Sequence, residues 1–413
     1  MKNKCRLCGS DHCETVVDLG LSPVSNHLID SETAQRQAQT NYPLHMVVCT
    51  ACWLVQLAQI DPVDHFHADY AYFSSYSSSW LQHAERYSKK VIALLALDEH
   101  SLVVELASND GYLLQYFKKA GVATLGIEPS ANVAEHARTT HGIETIVTFF
   151  GKECARQLAA QNRRADLIVA NNVLAHVPDI DDFVAGVPTL LKADGAVTFE
   201  FPHLLQLLRH CQFDTIYHEH FSYLSLGVVE QVLTRHGLVV TGLEELPTHG
   251  GSLRVYAGHT GRSFADEALQ RTLEKVRQDE QDAGLQTRDA YTSFQDEVIR
   301  RKTDLLSFLI KARRNKKSVL GYGAPAKAST LLNYCGVGPE LLAYTVDLSM
   351  RKQGSCIPGV NIPIHAPERL LAERPDYVLI LPWNLREEIA QSMRQVRDWG
   401  GRFVTAIPEI EVF

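Results

Sequence analysis

Four of the nine cysteines stand in two C-x-x-C units, Cys5-Arg-Leu-Cys8 and Cys49-Thr-Ala-Cys52. Such a turn aims two thiolates at one point, and two turns supply four soft ligands, which suits tetrahedral zinc. Gly9 follows the first pair, where a knuckle needs a tight turn. A redox C-x-x-C needs one pair in a βαβ setting, and residues 1–10 lack that pattern. With cysteine at all four positions no coordination site stays open for catalysis. The metal is therefore expected to be structural, holding together a small domain without a core of its own. Cys13, Cys154, Cys211, Cys335 and Cys356 are scattered and read as small apolar residues, not disulfides.

A second chemistry lies in Glu105-Leu106-Ala107-Ser108-Asn109-Asp110-Gly111 and in Glu128-Pro129. Small residues after a strand let the backbone approach a ligand, and the next helix presents its amino terminus. Glu128 stands 23 residues after Glu105, where a carboxylate can accept both hydroxyls of a ribose. Nicotinamide dinucleotide and S-adenosylmethionine compete for such a site. The dinucleotide usually wants G-x-G-x-x-G, of which only Gly111 remains, and Glu105 would repel a pyrophosphate but not a sulfonium. Asn171 and Asn172 end a later strand, where their amides could hold the methionine portion. These residues favour S-adenosylmethionine.

A third group is rich in acid–base residues: His176 in NNVLAHVP, and Tyr217, Glu219 and His220 in YHEHFSY. A zincin-like metal site needs H-E-x-x-H on one helix face. Here the histidines are i and i+2, which a helix would splay apart, and His218 alone reads as a core or capping residue. Histidine titrates near neutrality, and a carboxylate neighbour orients it. Beside a methyl donor, several such groups fit transfer to carbon better than to oxygen. A proton must first leave carbon, and the enolate must be stabilised. Transfer to oxygen or nitrogen stays open. Further along, Gly321-Tyr322-Gly323-Ala324-Pro325-Ala326-Lys327 fits G-x-G-x-x-A, with Asp347 ending the next strand. It would suit a dinucleotide, and so a dehydrogenase, or a nucleotide-sugar diphosphate paired with Lys327.

Alternating apolar runs and helical stretches must position these residues. Segments 102–107, 123–128, 145–150, 166–171 and 196–201 read as strands of a parallel, doubly wound α/β sheet. Segments 238–246 and 253–259, joined by PTHGGS, could close it as an antiparallel pair. Residues 69–80 read as a loop leading into a helix at 80–96. Residues 263–315 read as long connecting helices. Strands at 318–324, 341–347, 377–382 and 402–408 read as a second Rossmann-like unit. The expected division is a zinc-binding module (1–66), a methyltransferase domain (67–262), and a helical linker with a substrate-binding domain (263–413). A net charge of −8 gives no reason to expect nucleic acid or an anionic membrane as partner. No apolar run approaches the roughly 20 residues of a membrane span. The start MKNKCRLCGS lacks a signal-peptide h-region, so a cytoplasmic protein is expected. Its oligomeric state is open and compatible with a monomer.

Both C-x-x-C pairs, YFSSYSSSW, ELASNDGYLL, NNVLAHVPD, YHEHFSY, THGGSLRVY and GYGAPAKAST together resemble the sugar C-methyltransferase family of deoxysugar biosynthesis. The resemblance spans essentially the whole chain. It implies the three domains above, the class I S-adenosylmethionine methyltransferase fold, and structural zinc on Cys5, Cys8, Cys49 and Cys52. It implies a nucleoside-diphosphate-linked 4-keto-6-deoxysugar as substrate, methylated at C-3 or, in some members, at C-5. His176, Tyr217, Glu219 and His220 match its active-site positions. Glu128 and the turn carrying Glu105, Ala107, Asn109 and Gly111 match its cofactor positions, with Pro129, Asn171 and Asn172 expected alongside. Tyr76, His249, Ser252 and Lys327 are expected to meet the sugar nucleotide.

Overall fold

The computed structural model describes residues 4–31, 38–61, 73–261 and 266–413. The expected domain boundaries after residues 66 and 262 lie outside these ranges, as do residues 69–72 of the expected loop.

The middle of the chain forms a seven-stranded sheet. Its spatial order is Leu238–Leu246, Ser252–His259, Leu191–Pro202, Ala165–Asn171, Leu102–Leu106, Ala123–Ile127, Thr145–Ile146. The five from Leu191–Pro202 to Thr145–Ile146 pair in parallel, and Ser252–His259 runs antiparallel to both its neighbours. The expected closing hairpin is present, but its second strand inserts between the first and the rest. Val103, Val104, Leu106, Leu167, Ile168 and Val169 have no exposed surface, as continuous apolar runs require when helices cover both faces. The chain reverses its winding between Leu102–Leu106 and Ala165–Asn171, and a ligand crevice belongs at the carboxyl ends of those strands. The expected strand 145–150 shrinks to two residues, because only Gly126 and Ile127 are there to pair with it at the sheet edge.

The last third forms an eight-stranded sheet around five parallel strands: Arg402–Thr405, Tyr377–Ile380, Val319–Tyr322, Thr345–Val346 and Ile362–His365. Helices Glu267–Asp282 and Phe294–Arg314 lead into it. Its far edge is Ile29–Asp30, donated by the amino-terminal segment.

The amino-terminal segment is richer in strand than its sequence suggests. Cys13–Pro23 pairs with Asn41–Cys49, then Val55–Leu57, then Ser222–Tyr223 from the YHEHFSY block. The expectation of a module without a core needs correcting. Val17, Leu44, Met46, Val48, Val55 and Leu57 are buried in one cluster with Tyr291, Phe294, Val298 and Leu331. The module has a core, but it shares that core with the carboxyl-terminal helices.

Candidate active site

The four paired cysteines converge. Their sulfurs all lie within 4.8 Å of one another, with Cys5 Sγ 3.5 Å from Cys52 Sγ and Cys8 Sγ 3.6 Å from Cys49 Sγ. A ZnS₄ tetrahedron with bonds of about 2.3 Å has edges of about 3.8 Å, so the donor set fits zinc. Both knuckles turn the same way. Gly9 N–H donates to Cys5 O and Trp53 N–H to Cys49 O. The residue after each pair is left-handed: Gly9 at φ 73° and Trp53 at φ 65°. Trp53 bears a cost that glycine avoids.

A cavity of about 1480 Å³ opens at the carboxyl ends of the parallel strands, lined from all three parts of the chain. One end fits S-adenosylmethionine. Ala107, Asn109, Glu128, Pro129, Asn171 and Asn172 line it. Glu128 Oε2 accepts from Asn109 N–H and Oε1 from Ser130 N–H, each at 2.9 Å. These bonds aim the carboxylate and leave lone pairs for two ribose hydroxyls. Asn171 Oδ1 and both polar atoms of the Asn172 amide are buried with no hydrogen-bond partner among the described residues. Buried polar atoms of this kind call for a partner, and the amino-acid end of the cofactor supplies donors and acceptors. Ala107, Asn109 and Asn172 adopt φ of 55°, 49° and 52°. Strained backbone of this kind gathers where a site demands it.

The acid–base residues meet on the cavity wall. Thr215 O can only accept, so its 2.8 Å contact fixes the proton on His220 Nδ1. His220 Nε2 is then an acceptor, 2.7 Å from the Tyr217 hydroxyl that donates to it. The His176 ring stands 4.7 Å from that of His220, edge-on. Burial, followed by the His176 charge, holds His220 well below the usual histidine range. Glu219 Oε1 accepts from Asn26 Nδ2 at 2.5 Å, and both side chains line the cavity. His218 does not line it; it is buried with its ring against Tyr42.

The cavity also carries cations. Lys327, Arg351 and Lys352 line it. Lys327 Nζ donates to Asn384 Oδ1 at 2.8 Å and sits 4.6 Å from the centre of the Trp383 ring. Burial lowers the Lys327 ammonium to about 8, against an opposing pull from Asp214. His249 is pushed down to about 4 by burial and then by Lys327. The imidazoles of His220 and His249 are therefore both neutral at neutral pH. Asp347 is occupied by its own loops: Oδ2 accepts from Ala324 N–H and Oδ1 from Ser349 N–H. Glu128 makes the same pair of backbone bonds; what sets Asp347 apart is that it does not line the cavity and has Lys352 Nζ 3.5 Å from its Oδ2.

Four expected residues sit elsewhere. Glu105 is buried within the sheet, away from the cavity lining, and burial raises its carboxyl well above the usual range. Its place in the sheet keeps Glu105 from meeting a pyrophosphate, so its charge does not decide between the two cofactors. Gly111 packs on Ala137 and Ile143, where a Cβ would come within 3.3 Å; its left-handed turn shapes the loop without touching the cavity. Ser252 is buried and donates to Thr248 O, bracing the turn that carries His249. Tyr76 is 63% exposed and stacks on Phe73. Asn26, Trp80, Tyr112, Arg351, Lys352 and Asn384 line the cavity as well, beyond the residues expected from the sequence. Trp80 and Tyr112 stand in quoted motifs, a usable signal, whereas the other four come from segments whose pattern carries none.

Three family profiles tile the chain. Residues 5–66 match a "Putative zinc binding domain", 79–243 a "Methyltransferase domain" and 247–408 a "C-methyltransferase C-terminal domain". The C-methyltransferase NovU of Streptomyces niveus is 35% identical over 410 residues, covering 99% of this chain and 96% of that protein. Solved structures resemble part of it. An S-adenosylmethionine dependent methyltransferase from Mesorhizobium loti (17% identity, TM-score 0.34) covers 43% of this chain and 99% of its own. Magnesium protoporphyrin IX methyltransferase from Synechocystis PCC 6803, solved with bound S-adenosylmethionine, is 14% identical with a TM-score of 0.34, covering 46% and 86%. Identity at this level along the full chain, together with the zinc cluster and the Glu128 crevice, means that the protein belongs to the C-methyltransferase family and is a zinc-binding enzyme that transfers a methyl group from S-adenosylmethionine to carbon.

Proposed function

We propose that the acceptor is C-3, next to the ketone, of a nucleoside-diphosphate-linked 4-keto-6-deoxysugar, methylated through an enolate. The observation that carries this reading is the Tyr217–His220 hydrogen bond in the same cavity as Glu128 and Asn172. An imidazole held neutral, with its Nε2 lone pair aimed by a carbonyl behind it, is built to take a proton. The ketone acidifies the hydrogen on the neighbouring carbon. His220 Nε2 takes that proton, assisted by the Tyr217 hydroxyl that now occupies it. His176 donates to the enolate oxygen, where charge develops. Glu219, aimed by Asn26, accepts from a sugar hydroxyl and fixes the ring. S-adenosylmethionine, when bound at Glu128 and Asn172, supplies the electrophilic methyl. Lys327, Arg351 and Lys352 supply cations suited to a diphosphate. The division into residues 1–66, 67–262 and 263–413 and a cytoplasmic setting, where nucleotide sugars are consumed, belong to the same reading.

Product NMR against a panel of nucleotide 4-keto-6-deoxysugars tests it. The expected product carries a new methyl singlet on C-3. Methylation at C-5, oxygen or nitrogen would overturn the assignment. Solvent deuterium should also enter C-3 without cofactor, and its exclusion would sink the enolate step.

A further inference from the structure

On its carboxyl-terminal side the catalytic loop is tied to the zinc module. Ser222 and Tyr223, immediately after it, pair with Gln56 and Val55 as the fourth strand of the module's sheet. Phe221 O, one residue beyond His220, accepts from Leu57 N–H at 3.0 Å. It also accepts from Arg6, whose other guanidinium nitrogen donates to Leu57 O at 2.8 Å. Arg6 stands between the zinc-ligating Cys5 and Cys8, and its backbone N–H donates to Gln56. One planar fork thus joins the first knuckle, the strand after the second knuckle, and the peptide beside His220.

We propose that the zinc knuckle sets the position of the Tyr217–His220 pair, with Arg6 as the positioning residue that transmits it. Metal on Cys5 and Cys8 fixes the backbone of Arg6. The guanidinium then pins Phe221 O, and a short tether of one residue leaves His220 little freedom. Asn26 on Glu219 is a second tie from the same segment. A flexible lysine in place of the fork would hold one carbonyl, not two. The role of the loop in proton abstraction is taken from the function proposed above.

The test compares wild-type enzyme with Arg6→Gln by zinc content, calorimetry with S-adenosylmethionine, hydrogen exchange and kinetics. Arg6→Gln should keep its zinc and its cofactor affinity. Exchange across 216–223 should speed up about tenfold or more, as expected for losing a charged hydrogen bond. Its kcat should fall about 100-fold, the usual effect of misplacing a catalytic group by an ångström, with KM for S-adenosylmethionine unchanged. Removing zinc from the wild-type enzyme with a chelator should expose 216–223 together with the knuckles, while 102–128 stays protected. If Arg6→Gln sheds its zinc, this second comparison decides. A loop that stays protected in zinc-loaded Arg6→Gln, or in metal-free wild-type enzyme, overturns the proposal. The exchange data need no substrate. Absent turnover by the wild-type enzyme on the keto-sugar panel would therefore refute the substrate reading without touching the coupling.

Discussion

His220 can act as a base at neutral pH because its surroundings keep a second proton off. Its value lies well below the ordinary 6.5, through burial and the neighbouring His176. The neutral form persists as pH falls through 6.5 and is lost only below that. The acidic limb of kcat/KM is therefore expected to lie under pH 6.5, with a plateau above it; a limb centred at 6.5 or higher would contradict the buried setting. His220→Asn should lose turnover by roughly 10² to 10⁴, the usual worth of a general base, while calorimetry shows unchanged S-adenosylmethionine binding. Unchanged turnover would remove His220 from the mechanism. The sequence exposed the histidines and their carboxylate neighbour, because residue types that titrate near neutrality are visible in any order. It did not expose Thr215 O, the atom that decides which nitrogen is basic, because a backbone carbonyl carries no residue type. Glu105 misled for a related reason. A buried carboxylate keeps its charge only where the fold gives it a counter-charge or donors, as it does for Glu200.

At the scale of elements, the parallel strands were legible because both faces are covered and their apolar runs are unbroken. Cys13–Pro23 was not, because register shifts after Thr15 and after Asp18 break its alternation. Where strands meet, one buried network braces the cavity. Glu200, on Leu191–Pro202, accepts from Arg254 on the neighbouring strand and contacts His83 on the helix that carries Trp80. Thr248, at the turn that bears His249, also donates to Glu200 at 3.2 Å. The Arg254 charge and the His83 hydrogen bond overcome burial and hold Glu200 at about 2. Arg254→Met leaves that carboxylate buried without its main counter-charge. It should cost about 3 to 5 kcal/mol, typical of a broken buried pair. The double change Arg254→Met with Glu200→Leu should recover part of the loss. Denaturant titration of the three proteins checks this. A double variant less stable than Arg254→Met would show that Glu200 stabilises by some other route. The glycines of THGGS have their own reason: a Cβ on Gly250 would meet the Trp383 ring at 2.3 Å.

At the scale of the whole molecule, the cavity exists only where distant segments meet. Asn26, Asn172, His220 and Lys327 share it from nearly opposite parts of the chain. The motifs of Asn172, His220 and Lys327 were readable alone, but nothing local marks Asn26 or says that Trp383 reaches across to Asp214. Its indole Nε1–H donates to Asp214 Oδ2 at 2.7 Å, a bond that ties the carboxyl-terminal unit to the residue just before the catalytic loop's support, Thr215. Lys327 lies over the same indole, so it and the base are built around one junction. Their functions should nonetheless separate. In the proposed function Glu128 and Asn172 hold the cofactor, and Lys327 meets the diphosphate. Lys327→Met should weaken binding of a nucleotide 4-keto-6-deoxysugar by about 10- to 100-fold, the loss of a charged hydrogen bond to phosphate. Affinity for S-adenosylmethionine should not change. Calorimetry with each ligand separately reads both numbers. If both affinities fall together, Lys327 supports the shared junction and does not bind the diphosphate. If neither falls, the diphosphate lies on Arg351 and Lys352, and the glycine loop at 321–324 serves only to let Pro382 and Thr345 pack against it.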